Sequence, residues 1–120
     1  MPELNITVDG SVAAIDTVLS CIDEVEHTVD FSQFVPLDPY VNTDDDLIAN
    51  MIDKWSTSDI GRNATLTYIS EHKIKVSFTT PEPPLLFFSE LRKKFRRNIT
   101  ITDTNTNNVY GLHSKERSAR

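Results

Sequence analysis

The apolar residues of this chain change their period several times within 120 residues. That switching restricts the fold more than any other feature. A period of two marks a strand with one buried face; a period of three to four marks a helix with one buried stripe. Leu4, Ile6 and Val8 alternate with Asn5 and Thr7 and predict a strand. Asp9-Gly10-Ser11 then supplies a turn and a helix N-cap, and Val12, Ile15, Leu19 and Ile22 predict a helix over about 11–24. Residues 28–35 alternate again through Val29 and Phe31, and Pro36 and Pro39 end that short strand in an irregular loop. Thr43 caps a second helix to Trp55, whose apolar stripe is Leu47, Ile48, Met51, Ile52 and Trp55.

The clearest strands are 63–69 and 72–78, joined tightly at Ser70-Glu71. Leu66 and Tyr68 face one way, as do Ile74, Val76 and Phe78 on the partner strand. The Pro-rich stretch 80–84 breaks the sheet and pre-sets helical φ for a third helix, marked by Leu85, Phe88, Leu91 and Phe95. Residues 98–102 form a further strand, 103–108 a polar turn and 109–112 a short return strand. The predicted order is β-α-β-α-β-β-α-β-β. With the 28–35 strand and the 43–55 helix set aside as an insertion, β-α-β-β-α-β remains. The expected fold is therefore α+β: a single ferredoxin-like (split βαβ) domain over 1–112, with an antiparallel sheet, helices on one face and an extra helix inserted at about 43–55. Residues 113–120 are expected to be a frayed tail. A chain of this length buries roughly two-thirds of its unfolded surface, so it needs no staple.

Several function classes fall away. The single Cys21 makes no intrachain disulfide and belongs to an apolar helical pattern. No Cys/His spacing suits zinc, so neither metal nor cofactor is expected. Asp-x-Asn-x-Asn at 103–107 opens like a calcium loop but has Asn108 at the sixth position and Ser114 at the twelfth. With Gly10, Gly61 and Gly111 as the only glycines there is no phosphate-cradling loop. His27, His72 and His113 adjoin no nucleophile elbow, so no enzyme is expected. The sequons at Asn5, Asn63 and Asn98 all fall at strands. No apolar run approaches a membrane span and no secretory leader is visible, so the expected setting is the cytoplasm, away from membranes.

The charge is informative once divided. Residues 1–60 carry 13 acidic residues against Lys54 alone, a net of -12, while 61–120 sum to +6 within a total of -6. Asp44, Asp45 and Asp46 occupy a first helical turn, where the macrodipole favours them. Asp46 and Asp53, seven apart, share a helix face with Asp45 one residue off it. Asp23, Glu24 and Glu26 fall at the end of the first predicted helix, where the dipole opposes them, and Asp30 follows. Arg92, Lys93, Lys94, Arg96 and Arg97 end the third helix, where cations complement the dipole. They could track phosphates, with Phe95 on the apolar stripe between them. Spread over a domain roughly 35 Å across, the acidic half presents about one charge per 3 Å, against one per about 1.7 Å in duplex DNA. That allows a partial mimic of nucleic acid and not a full one.

The chain also resembles the YubB-type ferredoxin-like proteins of plasmids, prophages and phages. The likeness begins with Asn5-Ile6-Thr7-Val8-Asp9-Gly10-Ser11 and continues in Val29-Asp30-Phe31-Ser32-Gln33-Phe34-Val35-Pro36, similar to a Phe-x-Phe-x-x-x-x-Pro segment. Phe78-Thr79-Thr80-Pro81-Glu82-Pro83-Pro84, followed by Ser89 and Phe95, resembles a Phe-x-Thr-x-Trp-x-Pro-Pro segment and its helix. The order and spacing of these pieces over most of 4–111 carry the match. Where the family has Trp-Gly-x-x-Trp, this chain has Trp55, Ser56 and Asp59, and Pro81 stands at another family aromatic. The resemblance implies a mobile-element origin and a small α+β fold, but no chemistry. Charge and resemblance together lead to the expectation of a non-enzymatic phage or mobile-element accessory protein in the host cytoplasm. It would be a monomer or homodimer and would bind a host protein complex with a basic surface through Asp23, Glu24, Glu26, Asp30, Asp44, Asp45, Asp46 and Asp53. Anti-defence inhibition, of anti-CRISPR or anti-restriction type, is the sharpest form. The alternative is a nucleic-acid-binding module using the 92–97 helix end.

Overall fold

In a computed structural model, residues 3–40 and 42–110 are described. The expected tail at 113–120, the end of the expected return strand and His113 lie outside the described residues. The chain is an α+β domain. Its elements are β1 (Glu3–Gly10), α1 (Val12–Ser20), β2 (Ile22–Asp23), β3 (Thr28–Val29), α2 (Asp44–Trp55), β4 (Arg62–Ser70), β5 (Lys73–Thr79), α3 (Leu85–Phe95) and β6 (Ile99–Asp103). One-turn 3-10 helices at Phe31–Gln33 and Arg96–Asn98 complete it. Four strands form one antiparallel sheet in the order β4-β5-β1-β6, and β2 pairs with β3 in a separate small ribbon.

The alternation along β1 places Leu4, Ile6 and Val8 on one face, opposite Phe78, Val76 and Ile74 of β5. Ile99 and Ile101 of β6 join them, with Ala14, Ile15 and Val18 of α1, Trp55 of α2 and Phe87, Phe88 and Leu91 of α3, in one buried cluster. The other side of the sheet is polar. Its cross-strand rows read Thr65-Ser77-Asn5 and Thr67-Lys75-Thr7-Thr102. Ser77 donates to Asn5 at 2.6 Å, and the Thr7 and Thr104 hydroxyls meet at 2.9 Å.

At the centre sits Phe31, with no exposed surface. Its ring meets Trp55 at 5.4 Å, Phe78 at 6.0 Å and Phe87 at 4.7 Å. It thus joins the loop segment to α2, the sheet and α3. The Trp55 indole N–H donates to Val35 O at 2.8 Å and ties α2 to the same segment. Gly61 permits the close packing beside them, since a Cβ there would stand 2.8 Å from the Phe78 ring.

Several sequence expectations need correction. The first helix ends at Ser20 rather than 24, because Cys21 is buried and Ile22 turns to pair with Val29. The chain reverses there because Asp23 Oδ1 accepts the Val25 and Glu26 N–H groups at 2.9 and 3.0 Å, a side-chain alternative to continued helix. The second strand is only Thr28–Val29, because Asp30 starts the 3-10 turn that aims Phe31 inward. The buried stripe of α1 is Ala14, Ile15 and Val18, with Val12 exposed, and that of α3 is Phe87, Phe88 and Leu91, with Leu85 exposed. In α2 only Trp55 is fully buried, while Ile48 and Ile52 are exposed. This helix lies at the periphery, and its contacts run chiefly to α3. In the described part of the expected return strand, Val109 bridges to Thr102.

Truncating Phe31→Ala removes an aromatic ring shared by three elements. The expected cost is about 3–5 kcal/mol, read as a shift in urea midpoint. Trp55→Phe keeps the ring but leaves Val35 O unpaired, at about 1–3 kcal/mol.

Candidate functional site

The eight candidate carboxylates divide between two places in the fold. Asp23, Glu24, Glu26 and Asp30 belong to the β2–β3 ribbon and the turn after it. They do not lie at a helix C-terminus, so the dipole conflict expected of Asp23, Glu24 and Glu26 does not exist. Most of this group has local bonding. Asp23 holds the hairpin turn, and Glu24 accepts from the Tyr68 hydroxyl at 2.8 Å. Asp30 accepts from the Ser32 hydroxyl at 2.6 Å, the Ser32 N–H at 3.0 Å and the Gln33 amide at 3.1 Å. Burial pushes the Asp30 carboxyl up, but these bonds to Ser32 and Gln33 outweigh it and hold the group below its ordinary value. Asp23, Glu24 and Asp30 line one shallow depression with Cys21, Thr28 and Gln33, and Glu26 is not part of it.

The second group is on α2. Thr43 caps this helix by accepting the Asp46 N–H at 3.1 Å, with Asp44, Asp45 and Asp46 in the first turn. Ser56 ends it in the left-handed region, at φ 71 and ψ 13, a conformation that glycine adopts at no steric cost. Among the described residues, the carboxylates of Asp44, Asp45, Asp46 and Asp53 accept no side-chain hydrogen bond and form no ion pair within 4.0 Å. Asp46 and Asp53 line a depression of about 350 Å³ with Asp38, Tyr40, Ala49 and Asn50. Sequence reasoning missed Asp38, which sits in the Pro-punctuated loop and carried no helical signal. The Asn50 side chain fixes it, accepting its N–H and donating to its carboxylate, both at 2.8 Å, and Lys54 approaches at 3.7 Å.

Ile48 and Ile52, 44% and 48% exposed, are four apart and share one side of α2. Asp45, Ala49 and Asp53 continue the helix surface next to them. Leu85 and Leu86 at the start of α3 are also exposed, and the Leu86 N–H donates to Ser56 Oγ at 3.3 Å, which sets that turn against the end of α2. The surface thus combines apolar side chains with unpaired acids, as interface cores and rims do.

The basic residues also gather. Arg92, Lys93, Arg96 and Arg97 line a third depression with Ser89, about 350 Å³ in volume. Lys94 does not join them: its ammonium lies 5.7 Å from the centres of both the Phe34 and Phe95 rings. Lys93 pairs with Glu90 at 2.9 Å, and Arg96 adopts φ 52, ψ -113, outside the usual left-handed region.

Elsewhere little chemistry converges. His72 Nδ1 lies 3.0 Å from Gly10 O and its Nε2 3.4 Å from Glu71. Among the described residues no group of three His, Cys, Asp or Glu side chains is placed to hold a metal, and no helix is long and apolar enough to cross a membrane. Burial pushes the Cys21 thiol up to about 11; Ser20 opposes the shift and the Asp30 charge adds to it. A thiol so protonated at neutral pH is a poor nucleophile. No family model matches the chain, and neither a curated protein nor a solved structure matches it.

Cys21 should resist alkylation until the protein unfolds. The sign of its pH dependence follows from the raised value. Below pH 9.0 both folded and unfolded thiols are protonated, and the stabilisation is complete. Above that the unfolded chain loses its proton first, so stability should fall by up to about 2 kcal/mol toward pH 11. Urea midpoints against pH should show the fall, and Cys21→Ala should flatten it. Tyr110, pushed up to about 12 by burial and the Asp103 carboxylate, extends the decline at higher pH.

Proposed function

We propose that this is a non-enzymatic binding protein that docks on a partner with a basic surface through the outer side of α2. One observation carries the reading: four carboxylates with no side-chain partner among the described residues, Asp44, Asp45, Asp46 and Asp53, stand beside exposed Ile48 and Ile52 on one short helix. The carboxylates attract and orient a basic partner over distance, which raises on-rate and specificity. The isoleucines supply the apolar area that holds it.

The frame supports a split βαβ, ferredoxin-like reading. With the β2–β3 ribbon and α2 set aside, the order β4-β5-β1-β6 is that of a β-α-β-β-α-β chain with both middle strands antiparallel to their neighbours. In such a frame α2 is an addition, and additions to rigid scaffolds commonly carry function. The resemblance to the YubB-type proteins adds the setting of a phage or mobile-element accessory protein, and the acidic surface of α2 adds the target, a host complex in the cytoplasm that handles nucleic acid. The α2 carboxylates would meet Lys and Arg side chains that otherwise meet phosphates, which is the physical basis of an anti-defence inhibitor. Ser56 also stands in left-handed conformation where that family has Gly.

Reversing Asp46→Lys and Asp53→Lys together should lower the partner association rate about 10- to 100-fold while the circular dichroism melt stays cooperative and falls only by the loss of a first-turn carboxylate, about 1 kcal/mol. The assay is capture from nuclease-treated host lysate, followed by surface plasmon resonance on the captured complex at two salt concentrations. Unaltered capture overturns the assignment to α2. The depression lined by Arg92, Lys93, Arg96 and Arg97 favours a second reading, as a nucleic-acid module. That reading requires a steeply salt-dependent gel shift that Arg96→Glu/Arg97→Glu abolishes.

A further inference from the structure

The two edges of the main sheet are finished differently. Along β6, the chain turns back at Asp103, where Thr102 bridges to Val109 and the Tyr110 N–H bonds Ile101 O at 2.8 Å. The second half of that edge is covered. Along β4, the β3 side covers only the beginning: Val29 and Gly61 exchange two backbone bonds at 2.8 and 2.9 Å, and the Ala64 N–H bonds His27 O at 2.8 Å. From Thr65 to Ser70 the outer edge has no backbone partner among the described residues.

That free stretch lacks the usual protection. Edge strands are normally blunted by Lys, Pro, inward charges or covering segments. Thr65-Leu66-Thr67-Tyr68-Ile69-Ser70 holds no charge, no Pro and no Gly, and is rich in β-branched and aromatic residues. Tyr68 is 60% exposed and Ile69 47%. The irregularity between Tyr68 and Ser70 limits the regular strand at its far end.

We propose that β4 pairs antiparallel with β4 of a second copy of this chain, so that two four-stranded sheets become one continuous sheet about a two-fold axis. The available length selects the register. The β3 contact occupies the edge to Ala64 and the irregularity begins after Tyr68; Ala64 points its N–H outward, so Leu66 and Tyr68 do too, and an axis through Thr67 pairs both. Thr67 then faces Thr67 of the second copy, and Leu66 faces its Tyr68. Directly opposed residues share a face, so each pair is neutral and both Leu-Tyr pairs lie on the side of the sheet that carries the core. A segment whose order reversed is still compatible with itself is what an isologous contact requires. Each copy carries a net charge of -6 and holds Glu24 against the Tyr68 hydroxyl, so the copies repel, while the paired residues themselves carry no charge. Salt should therefore strengthen this association, whereas it should weaken capture of a basic partner by α2.

Sedimentation equilibrium of the full chain across concentration and salt tests this. The expected result is a mass rising with concentration from 13.6 kDa toward twice that value, and rising further with salt. Thr67→Glu should weaken self-association about tenfold or more by setting like charges opposite one another. Within one copy the new carboxylate faces Lys75, so the fold is retained, as the circular dichroism melt should show. Mixing Thr67→Glu with Thr67→Lys should restore association as a mixed dimer. A monomer at every concentration, a dimer that Thr67→Glu does not weaken, or a mixture that does not recover overturns the proposal. None of these outcomes depends on α2.

Discussion

The contact that the rest of the molecule depends on is the ring of Phe31 against Trp55, Phe78 and Phe87. Four stretches of chain that are distant in sequence meet there: a one-turn 3-10 helix, the end of α2, the inner sheet strand β5 and the start of α3. A buried aromatic ring contributes through its area and through tilted and edge-on ring packing. Phe31 reaches this point because Asp30 bonds the Ser32 N–H and hydroxyl, turning a strand-like stretch inward after two residues. A single local hydrogen-bonding choice by an aspartate therefore sets the central packing.

That arrangement explains how α2 is free to present its outer side. The helix is held at its C-terminal end by Trp55, through ring packing and the indole bond to Val35 O, and at its middle by the loop through the Asp38–Asn50 pair. Held at two points, it need not bury its whole apolar stripe. Ile48 and Ile52 remain half exposed beside carboxylates that have no side-chain partner among the described residues. The acids of the β2–β3 ribbon differ: Asp23, Glu24 and Asp30 are largely engaged in shaping turns and in a bond to Tyr68. Charge density along the sequence treats the two groups alike, and their hydrogen bonding separates them. The basic residues sort similarly, with Lys94 drawn onto aromatic rings and four others gathered around Ser89.

Much of the frame was legible from periodicity, because strands with one buried face leave a period-two pattern that local sequence records directly. Leu4-Ile6-Val8 and Ile74-Val76-Phe78 are such strands, and they pair as the inner strands of the sheet. The caps at Ser11 and Thr43 were legible for the same reason: a hydroxyl that accepts an N–H three residues on is a local event. The end of the first helix was not legible. An apolar spacing through Leu19 and Ile22 suits a continued helix, and the competing reason to stop was the burial of Cys21 and the pairing of Ile22 with Val29. The stripe of α2 misled in the opposite sense. Its pattern states that one side could be buried, not how much of the neighbouring surface is available to bury it.

By itself the sequence determined the α+β class, the identity of the inner strands, two helix caps and the unequal distribution of charge, since each depends on residues within a few positions of one another. The tertiary structure decided where the helices pack, which carboxylates are engaged within the described residues, that Asp38 joins Asp46 and Asp53, and that the two sheet edges are finished differently. These depend on contacts between residues far apart along the chain, which no local period records.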